Sequence, residues 1–292
     1  NQYKINIRRY ILVVCQGLHL RVYVHNNGKC IYTPEKYTEP WIQKEQYESK
    51  LIHENNNQND MTCNEKLELN KDQLITTGYV NESHYDDKPI NIYEFYQYLY
   101  KKHSKKNQEQ LNDLMHMFER GMHTRLALAI HATENLCEYS IEQVHTDPLP
   151  NCLNNSIRFQ HFGCDFHIDQ ELTGKNSRLF ECNKGPDMSV HSDKDGTLKR
   201  EVASDFIKFI GLKGTFDPSD DNALKNNLKL IYDSNTFNSH EALLYLHHLE
   251  NGYYPAPIDI TSDSIKKQKS KSQKKSKTSQ LDDEIKNFGN EK

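Results

Sequence analysis

The sequence predicts an α+β fold in which an antiparallel sheet is packed by helices and a basic tail stays unfolded. Three observations carry that expectation. Segments rich in β-branched and aromatic residues occur near the N-terminus and again around 157–183. A long helical stripe lies between them, and the last thirty or so residues hold almost nothing apolar.

Residues 3–33 read as a β-meander. Ile7–Cys15 is rich in Ile, Val and Tyr, and His19–His25 alternates. Asn26-Asn27-Gly28 is a hairpin signal leading into a third strand, Lys29–Thr33. Residues 34–70 lack periodicity and contain Asn55-Asn56-Asn57-Gln58-Asn59-Asp60, which predicts a surface loop. Ile92–Lys102 reads as a helix. A longer one follows, because Leu111, Leu114, Phe118, Met122, Leu126, Ile130, Thr133 and Cys137 recur at three- and four-residue steps, the spacing of a core stripe.

Ile157–Asp169 and Ser177–Asn183 read as two strands of a hairpin turning at Thr173-Gly174-Lys175-Asn176. Thr197–Leu212 is amphipathic, with Leu198, Val202, Phe206, Phe209 and Ile210 on one face. Two shorter helices are expected around 219–232 and 239–250. From about Thr261 onward, lysines at 266, 267, 269, 271, 274, 275 and 277 alternate with Ser and Gln, a composition that predicts disorder. The expected organisation is a main domain over 1–215, a helical extension over 216–260 and a disordered lysine-rich tail over 261–292.

Composition narrows the function. A net charge of −4 argues against a general nucleic-acid or membrane-surface binder. No apolar run approaches the ~18 residues of a membrane span. Seven cysteines, at 15, 30, 63, 137, 152, 164 and 182, are odd in number and form no CxxC pair. A reducing compartment fits them better than a disulfide framework or a structural zinc site. The chain opens on Asn1 and runs straight into a strand, so it is expected to be cut from a longer protein.

The chemistry is expected in Phe162-Gly163-Cys164-Asp165-Phe166-His167-Ile168-Asp169 and Leu179-Phe180-Glu181-Cys182-Asn183. Strand alternation puts Phe162, Cys164, Phe166 and Ile168 on one face and Asp165 on the other. Glu181 and Asn183, two apart, share a face. If the hairpin closes at 173–176, two carboxylates and an amide oxygen converge, the kind of sparse oxygen set that magnesium takes together with nucleotide phosphates. Spacing alone leaves open an ordinary amphipathic hairpin with solvated acids.

These runs resemble the magnesium-binding hairpin of the tubulin-tyrosine-ligase-like family, with its FGxDFxxD strand, short turn and LxExN strand. Here Asn183 is followed by Lys184-Gly185-Pro186-Asp187-Met188, and the Thr197–Leu212 helix stands where the family's C-terminal helix is expected. Lys4-Ile5-Asn6-Ile7-Arg8-Arg9-Tyr10-Ile11-Leu12-Val13 is similar to the family's K-F/Y-D-I/L-R strand. Leu74-Ile75-Thr76-Thr77 falls at its HLTN segment, and Tyr93–Leu99 is similar to its acidic-aromatic helix. The resemblance covers roughly residues 3–212, in the right order.

The resemblance implies an ATP-grasp-type fold holding ATP between two lobes, of which this chain supplies mainly the C-terminal one, with the adenine-gripping strands upstream. The bare chain is therefore expected to bind magnesium–ATP weakly. Asp165, Glu181 and Asn183 would hold Mg²⁺. Lys4, Asn6, Thr76 and Glu181 would contact the nucleotide, and Arg8 would be the catalytic group that steadies an acyl phosphate. The implied partners are a free amino acid and tubulin or another acidic protein acceptor, with no nucleic acid or membrane. The implied location is cytoplasmic and cytoskeletal. Departures are visible: Asn6 replaces an Asp, Leu74 a His and Thr77 an Asn, and Cys30-Ile31-Tyr32 lacks an expected arginine. These departures favour a second reading, a catalytically inactive pseudo-ligase that binds tubulin or a partner through the basic tail. A third is a ligase acting on a small peptide or metabolite.

Overall fold

The computed structural model describes residues 3–16, 19–36, 85–102, 108–144, 157–168, 175, 177–211 and 216–252, except the side chains of 108 and 135–144. The segment 55–60, Thr76 and Thr77, most of the expected hairpin turn and the tail from 261 lie outside these residues.

Two long alternating strands form the centre. β1 (Ile5–Gln16) and β2 (His19–Tyr32) pair antiparallel along their length, from Ile5 opposite Tyr32 to Gln16 opposite His19. On the free side of β1 lies β3 (Ile157–His167), and beyond it β4 (Arg178–Lys184) at the edge; β5 (Leu228–Asp233) pairs with the other side of β2. All four pairings in this five-stranded sheet, β4-β3-β1-β2-β5, are antiparallel.

Alternation then divides the side chains between two faces. Ile7, Ile11, Val22, Val24, Cys30, Cys164 and Phe166 pack with Phe95 and Leu99 of α1 (Ile92–Lys102) and with Phe118, Met122 and Leu126 of α2 (Gln108–Val144). The opposite face buries Tyr10, Leu12, Val14 and Tyr23 under Leu198, Val202, Phe206 and Phe209 of α3 (Asp193–Phe209). Ser192 caps α3, its side chain accepting from the Asp195 amide. Sequence and structure agree on an α+β sheet packed by helices.

Two elements differ from expectation. Asn26-Asn27-Gly28 is not a turn: β2 continues through it, with the register shifting between Arg9, opposite Gly28, and Ile11, opposite Val24. The short polar side chains satisfy the bulge locally. The Asn27 amide donates to His25 Nδ1 (3.0 Å), and Asn27 Oδ1 accepts from the Gly28 amide (2.9 Å). Gly28 is required there, since a Cβ would lie 2.5 Å from the Arg8 carbonyl oxygen.

The expected helix over 219–232 is only α4 (Asp220–Lys225), followed by β5. Asn227 takes a positive φ of 54° and ends the helix. Leu228 and Tyr232 are then buried as part of the sheet, so the region after 215 is a sheet strand as well as helices; α5 (Ser239–Glu250) follows as expected.

Candidate active site

The registers decide which charges meet. Arg8 lies opposite Asp165 in the β1–β3 pairing, and Asp165 lies opposite Glu181 in the β3–β4 pairing. Directly opposed residues point to the same face, so the three form a row across three neighbouring strands. Asn183, opposite Gly163, extends the row along β4. This is the face that α3 covers farther along the strands.

Arg8 grips Asp165 with two hydrogen bonds, Nε to Oδ1 and Nη2 to Oδ2, both 2.7 Å. Asp165 is 2% exposed, so its carboxylate depends on that guanidinium for charge compensation. Donating to Asp165 in turn raises the Arg8 pKa, against the opposing effect of burial. At the sheet edge, Asn183 Nδ2 donates to Glu181 Oε1 (2.8 Å), and both residues are exposed.

The remaining sequence-predicted residues are placed as follows. Lys4, just before β1, holds its Nζ 5.6 Å from the centroid of the Phe180 ring, and His167 stacks on the same ring from β3. Asn6 is buried, opposite His167 and Ile31. Thr76 lies outside the described residues. Lys4, Arg8, Asp165, Glu181 and Asn183 therefore converge on one end of one sheet face, with Asn6 between the first two on β1.

Glycines make this convergence possible. A Cβ on Gly163 would lie 2.8 Å from Pro186 Cβ and 3.3 Å from Arg8 Cδ, so only glycine lets the post-β4 segment and Arg8 approach together. Gly185, at a φ of 64°, turns that segment, and its amide donates to the His161 carbonyl (3.0 Å).

Sequence reading missed a second ionic cluster. Lys29 is the β2 neighbour of Arg8, and its Nζ lies 2.5 Å from Asp195 Oδ1; Lys199 Nζ lies 2.8 Å from Asp195 Oδ2. Asp195 is buried, which opposes its charge, yet hydrogen bonds from Lys199 and Lys29 hold its carboxyl below the ordinary range. Burial pulls Lys29 down. The signal was available: once β2 is read as unbroken, Lys29 falls on the site face. Between the clusters, the Tyr10 hydroxyl is buried without a hydrogen-bond partner among the described residues.

A further group, His25, Glu201 and Asp205, brings ligand-type atoms within 4.8 Å of one another. Its members are already satisfied: His25 Nε2 meets Asp205 Oδ2 at 3.2 Å, Asn27 Nδ2 donates to Glu201 (3.1 Å), and Asn227 Nδ2 donates to Asp205 (2.8 Å). They clamp α3 to β2.

Cysteine usage also departs from expectation. Cys164 and Cys182 are bonded as a disulfide across the β3–β4 hairpin. Reading for CxxC spacing misses a pair that only strand register brings together.

A family model described as the tubulin-tyrosine ligase family matches residues 1–220. The chain belongs to that family. The match takes in β1 to β4 and α3 and therefore every site residue named above, whereas β5 and α5 lie beyond it. Membership in the tubulin-tyrosine ligase family carries that family's general function, ATP-dependent ligation. No curated protein matches the chain.

Proposed function

We propose that this chain carries the metal- and phosphate-binding part of an ATP-dependent carboxylate–amine ligase that joins an amino acid to a protein carboxylate, with tubulin as the first acceptor to test. The observation that carries the reading is the in-register row of Arg8, Asp165 and Glu181, flanked by Asn183, inside the region matched to the family.

The residues fit magnesium by donor type. Asp165, Glu181 and Asn183 offer only oxygens, as a hard cation requires. Arg8 occupies one position on each Asp165 oxygen, and a carboxylate has about four acceptor positions. The cation would neutralise charge on the nucleotide phosphates.

In the proposed reaction the acceptor carboxylate attacks the γ-phosphorus and ADP leaves. The amine of the incoming amino acid then attacks the acyl carbon and releases phosphate. Arg8 is held in one orientation by Asp165 with its Nη1 edge unused by that pair, which suits it to donate to a phosphoryl oxygen. Lys4, over the Phe180 ring, adds a second positive charge at the same end of the sheet.

Glu181→Gln tests the reading. It should abolish ATP turnover in the full-length protein while far-UV circular dichroism stays native, and turnover at the wild-type rate would sink the assignment. The inactive pseudo-ligase remains the second reading, favoured by Asn6, which is buried and uncharged where the resemblance expects an Asp. Its signature is wild-type protein that binds magnesium–ATP but never releases phosphate.

A further inference from the structure

The hairpin that presents Asp165, Glu181 and Asn183 is cross-linked at its centre. Cys164 and Cys182 are direct partners in the β3–β4 ladder, between the Gly163–Asn183 pair and the Asp165–Glu181 pair. Each sulfur is thus one residue along the strand from a proposed metal ligand on both sides of the hairpin.

Three features make this bond more than a staple. First, β4 is an edge strand whose only sheet neighbour among the described residues is β3, and six of its seven residues are exposed. Glu181 and Asn183 are therefore held to Asp165 by one ladder and one covalent bond. Second, the ladder is irregular beside the bond: the register shifts between Asp165 and Phe166, leaving Phe180 as the extra residue. The extra residue is left out of the pairing and the ladder is disrupted right beside the ligands. Third, the two sulfurs stand in unlike surroundings. Cys164 is 2% exposed and packed in the core under α1 and α2, whereas Cys182 is exposed at the edge. A small thiol reaches the bond from the Cys182 side.

We propose that Cys164–Cys182 is a redox switch on metal–nucleotide binding. The disulfide form holds the ligand set in register, and the dithiol form binds metal–nucleotide more weakly. This rests on the ligase reading of the hairpin.

The chemistry balances with a small-molecule thiol as reductant. Its thiolate attacks Cys182 Sγ, the protein S–S bond breaks, and Cys164 leaves with the electron pair and takes up a proton. A second thiol attacks the reagent's sulfur in that mixed disulfide, and Cys182 leaves as a thiolate that is then protonated. Two reagent thiols become one disulfide, and the protein gains two electrons and two protons. Oxidation by the reagent's disulfide runs the same steps backward.

Linkage gives the switch two readouts. If reduction weakens nucleotide binding by some factor, bound nucleotide must favour the disulfide by the same factor. That factor is expected to be about tenfold, within the range of coupling between linked sites.

The experiment uses the full-length protein with Mn²⁺–ATP as probe. Binding is read from the electron paramagnetic resonance of free Mn²⁺, on oxidised protein, on reduced protein and on Cys182→Ser. In parallel, the protein is equilibrated in glutathione buffers with and without Mn²⁺–ATP, and alkylated peptides containing Cys164 and Cys182 are counted by mass spectrometry. Support is about tenfold weaker binding by reduced protein, with a matching shift of the thiol–disulfide balance when nucleotide is present. Equal binding in both redox states, with an unshifted balance, overturns the switch and leaves the ligase reading standing. Binding in neither state overturns both.

Discussion

Replacing Arg8 with Met deletes both hydrogen bonds that Asp165 accepts from its strand neighbour, each 2.7 Å long. The Asp165 side chain is 3% exposed and that of Arg8 17%, so water cannot replace the lost partner without opening the sheet. Removing one member of a buried pair costs about 3–5 kcal/mol, because the remaining charge is stranded, whereas an exposed pair is worth at most about 1 kcal/mol. The geometry here is bidentate and buried, which puts Arg8→Met in the first class. Asp165→Leu in the same background removes the stranded carboxylate, so the double variant should regain most of the loss. The assay is urea unfolding of the 292-residue chain at pH 7, followed by circular dichroism and assembled into a double-mutant cycle. A loss below about 1 kcal/mol for Arg8→Met, or strict additivity in the double variant, would refute the reasoning.

Gly28→Ala would put a methyl 2.5 Å from the Arg8 carbonyl oxygen and 2.9 Å from Ile92 Cδ1, and backbone cannot yield as a side chain can. It should cost at least about 1–3 kcal/mol, seen as a melting temperature several degrees lower; an unchanged melting temperature would show that the bulge tolerates a Cβ. His123 is held neutral by burial and by its cationic neighbours Arg9 and Lys229, with its pKa well below the ordinary histidine value. The unfolded chain therefore takes up a proton below pH ~6.5 that the folded chain refuses, so stability falls as pH drops through that value, by up to about 1.4 kcal/mol between pH 7.5 and 5.5. His123→Leu should remove this share of the pH dependence of the urea midpoint, and identical slopes in variant and wild type would contradict it.

What the sequence discloses here depends on whether a local pattern is read by a local or a distant partner. The α2 stripe through Phe118, Met122 and Leu126 was legible because helical spacing is a local property and these three lie in the core as spaced, although Thr133 farther along it is exposed. The Asp165/Glu181/Asn183 convergence was legible for the same reason, since it needs only one hairpin. Asn26-Asn27-Gly28 misled because the same three residues suit a two-residue turn and a strand bulge. The unbroken β1 partner, which keeps pairing with both halves of β2, decides for the bulge. Leu228–Asp233 misled because Leu224, Leu228 and Ile231, at four- and three-residue steps, also fit a helix extended from α4. The vacant side of β2 makes a strand of them. The Arg8–Asp165 pairing and the Cys164–Cys182 bond were hidden because each rests on register between strands that the sequence does not align.

Charge balance at the site bears on which ligand the row can accept. Lys4, Arg8, Lys29 and Lys199 share this face with Asp165, Asp195 and Glu181, four cations and three anions, and Asp165 and Asp195 are each closed by hydrogen-bonded partners. A bare divalent cation would add two positive charges to a group that already carries a net positive one. A nucleotide phosphate brings its own negative charge. Arg8, still paired with Asp165, and Lys4 can then donate to phosphate oxygens, and Asp165 would offer the cation its remaining acceptor positions, so that no charge is left alone. On the proposed reading, metal and nucleotide are therefore bound as one unit. The face of the sheet explains where this happens: the apolar residues of α3 cover the Tyr10, Leu12 and Val14 end, its N-terminal Asp195 closes on Lys29, and the row from Arg8 to Glu181 begins where that cover stops.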